Sequence, residues 1–159
     1  MKITIIAVGK VKEKFYRDAL AEFTKRLSKY CKLDILEVAD EKTPDLASRR
    51  EEELILKKEG ERILKLLQPQ MKVYALAIKG ESLDSSGFAA VIEREGIQGN
   101  SWLTFIIGGS LGIHKEVLTQ CHHRISFSAM TFPHQLMRVI LLEQIYRAFR
   151  IIHHEPYHK

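Results

Sequence analysis

Five short apolar runs alternating with helical stretches predict an α/β fold, a largely parallel sheet covered by helices on both faces. Three observations carry this. The apolar runs are rich in β-branched residues and end on Gly or a polar turn. The stretches between them repeat apolar residues every three or four positions. No repeat, linker or low-complexity tract interrupts the alternation, so residues 1–159 read as a single domain.

The first run, "KITIIAVG" (2–9), suits a buried strand closed by Gly9. Residues 12–29 follow as a helix with Phe15, Ala19, Phe23 and Leu27 on its apolar stripe. "KLDILEVAD" (32–40) is the second strand, and after a polar loop residues 48–67 form a highly charged helix that Pro69 stops. "KVYALAI" (72–78) is the third strand, ending near Gly80, and Ser85 or Ser86 is placed to cap a short helix over 87–95. "WLTFIIGG" (102–109) is the strongest strand signal, followed by a turn and a helical segment. "RISFS" (124–128) is the fifth strand, and the last helix runs from Pro133 to about Ile152. In such sheets ligands bind beyond the carboxyl ends of the strands, which selects Leu76–Gly80, Ile107–Gly112 and Phe127–Phe132.

Composition excludes several classes. Hydrophobic residues are 45% and charged residues 28% of the chain, with no run near the ~18 apolar residues of a membrane span. The N-terminal apolar run is short and precedes no small-residue cleavage site, so a cytoplasmic protein with no membrane partner is expected. Cys31 and Cys121 share no motif spacing, and the His pairs at 122–123 and 153–154 lack partners at ligand spacing, so no metal is expected. A net charge of +5 and a pI near 9.2 favour a polyanionic partner, nucleic acid first.

"IIGGSLGIHKE" (106–116) is a glycine-rich turn between strand and helix. Its glycines at 108, 109 and 112 fit neither the dinucleotide fingerprint nor a P-loop, which leaves a generic ligand loop or a plain tight connection. "SFSAMTFPH" (126–134) offers the hydroxyls of Ser126, Ser128 and Thr131 beside apolar Phe127, Met130 and Phe132. That mixture suits a ligand with a polar edge and an apolar body, such as adenosine. The plainer reading makes Thr131 an N-cap and Pro133 a first-turn residue; both can hold together.

His134, in the first turn, feels the positive end of the helix dipole, which favours a neutral imidazole able to take a proton. Arg138 follows one turn later, within reach of a phosphate or carbonyl, or paired with Glu143. The helix itself is apolar over more than half its circumference, more than one sheet covers, so a second protomer is expected on it. The tail "HHEPYHK" lacks periodicity; Tyr157, His158 and Lys159 are either a loose end or a nucleotide contact.

"VGK" (8–10), "IIGGSLGIHKEV" (106–117), "SFSAMTFPHQLMRVILLEQIYRAFRI" (126–151) and the terminal "PYHK" (156–159) closely resemble the RlmH family of large-subunit rRNA methyltransferases, over the whole chain. The resemblance implies a SPOUT-type α/β knot, a homodimer, and S-adenosylmethionine (S-adenosyl-L-methionine) in the knotted loops. It implies N3-methylation of a pseudouridine in 23S rRNA, position 1915 in the family's conventional name, on the assembled ribosome. The family's cofactor positions fall on Leu76, Gly108 and the run Phe127, Ser128, Ala129, Met130, Thr131, Phe132. His134, Arg138, Tyr157 and His158 match its substrate side: His134 or His158 for the proton, Arg138 for charge, Tyr157 for stacking. A non-catalytic rRNA-binding factor and an enzyme using another adenosine ligand are the competing readings.

Overall fold

The computed structural model describes residues 1–159. Ten elements alternate along it: β1 (Lys2–Val8), α1 (Lys14–Leu27), β2 (Lys32–Val38), α2 (Arg49–Leu64), β3 (Lys72–Ser82), α3 (Ser85–Ile97), β4 (Trp102–Ile107), α4 (Lys115–Gln120), β5 (His123–Ser126) and α5 (His134–Ile152). The strands form one five-stranded, wholly parallel sheet in the order β2-β1-β4-β3-β5. The α/β reading is therefore correct.

Helices cover both faces, which is why β1 and β4 are apolar at consecutive positions rather than alternate ones. On one face α1, α3 and α5 close over a core of 20 buried residues that includes Ile3, Ile5, Leu103 and Phe105. On the other, a smaller core of eight, with Ile6, Val8 and Ile106, lies under the side of α2 and α4.

Local chemistry sets the helix starts. Ser48 caps α2 in a reciprocal box, its hydroxyl accepting from the Glu51 amide while the Glu51 carboxylate accepts from the Ser48 amide. At α3 the cap is Asp84, not Ser85 or Ser86: its carboxylate accepts from the Gly87 N–H at 2.7 Å, and the helix runs from 85 to 97 rather than 87 to 95. The Ser85 hydroxyl is instead spent on Gln144 of α5. Thr131 does not cap α5 either; Pro133 holds that position with no side-chain bond. The α1 stripe is also shorter than its periodicity predicts, since Leu27 is buried and Phe23 half-buried while Phe15 is 65% exposed.

One irregularity shapes the functional end. The β3–β5 ladder jumps register, so Leu76 and Glu81 both face Ile125 and residues 77–80 swing out between them. Gly80 lies so close to β5 that a Cβ there would sit 2.6 to 2.7 Å from backbone atoms of Arg124 and Ile125. The strand signal that sequence ends at 78 thus continues to Ser82 because the chain doubles against β5.

Candidate active site

A cleft of about 850 Å³ opens at the carboxyl ends of β3, β4 and β5. Its walls, Leu76–Lys79, Ile107–Ile113 and Arg124–His134 without Ala129, take in most of the three segments selected in sequence, Leu76–Gly80, Ile107–Gly112 and Phe127–Phe132. The fold explains the convergence, because β3 lies between β4 and β5 and all three run in one direction.

The glycine turn is built for close backbone packing. A Cβ on Gly108 would collide with the Gly112 carbonyl, whose carbon would lie at 2.6 Å, and Gly112 adopts φ +94°. Gly109 and Gly112 pair across the turn. In the third wall the hydroxyls are partly committed: Ser126 Oγ donates to the Ser128 carbonyl and Ser128 Oγ accepts from the Met130 N–H. These bonds fix the loop and leave Thr131, with exposed Met130, as its outward polar and apolar groups.

Of the twelve residues picked from sequence, Leu76, Gly108, Phe127, Ser128, Met130, Thr131, Phe132 and His134 line this cleft. Ala129 does not, although its neighbours do. His134 stands at the rim, its Nε2 3.1 Å from where a Cβ on Gly9 would be; Gly9, at φ +86°, makes room for it. Burial, then the charge of Arg138, pushes the His134 pKa below its usual value, against the pull of Asp40 and Glu13. The neutral imidazole expected from the helix dipole is therefore produced mainly by burial.

Arg138 is placed away from the cleft that the sequence reading put it beside. It is 1% exposed and does not reach the cleft. Its guanidinium donates to Glu37 Oε1 at 2.7 Å and to the carbonyls of Val8 and Gly9 at 2.9 and 2.6 Å. It ties α5 to the ends of β1 and β2, and a substrate contact would require breaking those bonds. The alternative pairing with Glu143 is also absent, since Glu143 binds Arg147.

Tyr157 and His158 lie elsewhere. The chain leaves α5 through His154 at φ +54°, with the Glu155 N–H bonded to the Arg150 carbonyl and the His154 N–H to that of Ile151. Arg150 then grips Glu155 at 2.5 Å and the Pro156 carbonyl at 2.9 Å, and Tyr30 also donates to Glu155. So anchored, the tail packs back on α5. Tyr157 lies edge-on to Tyr146, donates to Glu143, and has the Arg147 guanidinium 4.7 Å above its ring; Arg147 also reaches His158. Arg147 and Glu143 were not singled out in sequence as members of this cluster. Their four-residue spacing was visible, but nothing in it says that a tail folds onto them. Arg147 is thirteen helical steps beyond His134, about 20 Å along α5.

Burial pushes both cysteine thiols up to about 11, which keeps them protonated and unreactive at neutral pH. No three His, Cys, Asp or Glu side chains converge to hold a metal ion, and no helix is long and apolar enough to cross a membrane.

A parallel α/β sheet with one roomy, mostly apolar cleft at its strand ends is the architecture of an enzyme that binds a nucleotide-like cofactor. The chain belongs to the SPOUT methyltransferase family: the family model described as "Predicted SPOUT methyltransferase" matches residues 1–158. Proteins named ribosomal RNA large subunit methyltransferase H from Clostridium beijerinckii and Clostridium botulinum are each 58% identical to it over 100% of both chains. Among solved structures, a probable methyltransferase from Bordetella pertussis Tohama I superposes with a TM-score of 0.60 at 14% identity, covering 92% of this chain and 93% of that one. A methyltransferase from Legionella pneumophila, solved with bound SAM, gives 0.50 at 9% identity, covering 94% and 66%. Both share the fold.

Proposed function

We propose that the chain transfers a methyl group from S-adenosylmethionine to N3 of a pseudouridine in 23S rRNA, working as a homodimer in the bacterial cytoplasm. The observation that carries this is the cleft between the ends of β3, β4 and β5, in a chain 58% identical end to end to relatives named for large-subunit rRNA methylation. The residues fit the cofactor. Leu76, Phe127 and Phe132 provide an apolar bed for an adenine ring, and the Gly108–Gly112 turn gives backbone access that a Cβ would block. When bound, the cofactor supplies a methyl group on a sulfonium, the electrophile of the reaction.

The protein's own part is orientation and proton handling. Holding the attacking nitrogen about 3–3.5 Å from the methyl carbon supplies the larger share of the rate. The N3 proton must leave, and a modest base is worth roughly 10²- to 10⁴-fold. His134, neutral at the cleft rim, is placed to take it; His158 is the second candidate. Tyr157 is placed to stack on the base, and Arg147 takes the cationic role first assigned to Arg138.

Two features support a dimer. Leu136, Val139 and Ile140 remain half-exposed on the most apolar helix of the chain. The tail cluster also packs on Glu143 and Arg147, about two and a half to three and a half turns along α5 from His134, and none of its residues lines the cleft, so a complete site needs the tail of a partner. The doubled β3 segment against β5, with Gly80 at the point of contact, supports the knotted threading of this family.

The deciding experiment offers labelled S-adenosylmethionine with naked 23S rRNA, free large subunits or whole ribosomes lacking the modification. The expected result is one methyl per ribosome on a pseudouridine N3. Strong activity on naked RNA would overturn the assembled-ribosome reading, and no transfer to any of the three would overturn the function.

A further inference from the structure

The positive charge is not spread evenly. Residues 1–32 hold nine Lys and Arg against three Asp and Glu, a surplus of six, where the whole chain has a surplus of five. The highly charged α2 carries five of each sign and nets to zero. Nearly all the surplus lies on α1 and its flanks, and every cation from Lys10 to Lys32 is exposed. Lys14, Arg26 and Lys29 have acidic partners, whereas Lys10, Lys12, Arg17, Lys25 and Lys32 have none.

Within the first cluster stands Phe15, 65% exposed on a helix whose Leu20, Phe23 and Leu27 face the core. Its ring lies against Tyr16 at 4.4 Å between centroids, flanked in sequence by Lys14 and Arg17. The surface joins the active site at one end, where Lys10 follows the Gly9 that packs under His134. At the other end Lys29 and Tyr30 meet Glu155 at the root of the tail.

We infer that the outer face of α1, from Lys10 to Lys32, is a docking surface for rRNA, with the unpaired cations on phosphates and Phe15 under an unpaired base. Charge complementarity selects the partner: a cationic ridge around one exposed aromatic ring fits a phosphate backbone with a splayed base. The inference rests on the rRNA substrate proposed above and adds where that substrate is held outside the cleft.

The test uses the full-length protein and unmodified ribosomes. Lys12→Gln/Arg17→Gln/Lys25→Gln is compared with Arg50→Gln/Lys57→Gln/Lys58→Gln, which removes equal charge from α2, and with Phe15→Ala. The α1 triple variant is expected to raise KM for ribosomes about ten-fold or more at physiological salt and to flatten its salt dependence by up to roughly two units of slope. Phe15→Ala is expected to raise KM about five-fold or more, the scale of one lost base stack. The α2 control should stay within about two-fold, and S-adenosylmethionine affinity should be unchanged in all three. Equal KM shifts in the α1 and α2 triples, or none in α1, would overturn the docking surface. So would dissociation of the dimer by Phe15→Ala, which would make this face a protomer contact. Failure of the wild type to methylate ribosomes would instead overturn the function beneath it.

Discussion

Arg138 and Glu37 form an ion pair of 2.7 Å whose arginine is 1% exposed and whose glutamate sits at the surface. The same guanidinium holds the Val8 and Gly9 carbonyls, so one side chain fastens the start of α5 to the ends of β1 and β2. Removing it strands two buried carbonyls and loosens the helix that carries His134. Arg138→Ala should destabilise the fold by about 3 kcal/mol or more. Arg138→Lys should recover only part, since an ammonium cannot span all three acceptors. Urea midpoints of the two variants measure this, and a loss under 1 kcal/mol in Arg138→Ala would be inconsistent with the buried pair.

The lowered pKa of His134 has a consequence for stability. Below the ordinary value of 6.5 the unfolded chain takes up a proton that the folded chain resists, so stability falls as pH drops from about 6.5 toward the depressed folded value. His122, lowered by burial and by Lys72 and His123, adds to the same slope. His134→Gln should flatten the pH dependence of Tm between about pH 6.5 and 5. An unchanged slope would mean that His134 titrates normally.

Gly108 tests the turn. Its missing Cβ is what allows the Gly112 carbonyl to lie against it. Gly108→Ala should weaken S-adenosylmethionine binding at least ten-fold, about 1.4 kcal/mol, while the α1–α5 side of the core stays intact. Calorimetry gives the affinity and circular dichroism the fold.

The helix terminus at His154 is strained, because a residue with a Cβ occupies a left-handed position that favours glycine. His154→Gly should stabilise the protein by about 0.5–1 kcal/mol, by relief of the 1–2 kcal/mol cost of that conformation less the added chain entropy. A lower Tm would show that the His154 side chain makes a compensating contact.

Separation of tail and cleft makes complementation informative. Removing residues 157–159 should abolish methylation with cofactor affinity intact, and Gly108→Ala should lower methylation through weakened cofactor binding with the tail intact. Mixed dimers of the two should regain activity, about a quarter to a half of wild type if each site needs one cleft and one foreign tail. No recovery on mixing would place the tail and the cleft in the same protomer.

Most of this fold could be read from the chain because hydrophobic period and turn residues are local properties: β1 and β4 announce themselves as unbroken apolar runs. The cleft was legible for the same reason, since parallel strands put their carboxyl ends together. The burial of Arg138 was not legible because a sequence shows an arginine one turn from a histidine but not the carbonyls 129 and 130 residues away that it binds. Phe15 was misread because its spacing matches a core stripe that the helix overshoots. The tail was ambiguous because its anchors, Tyr30 and Arg150, come together only in three dimensions. Strand order is likewise a long-range property and no periodicity encodes it.

That order governs how the protein can be made. β3 pairs only with β4 and β5, both of which follow it, and β4 must enter between β1 and β3. When the first hundred residues have left the exit tunnel, the nascent chain can assemble β1 against β2 and nothing more of the sheet. The cleft acquires its last wall, and His134 its seat against Gly9, only once residues 124–134 have emerged. Until β5 and the start of α5 are free to pack, the chain has no complete methyl-transfer centre.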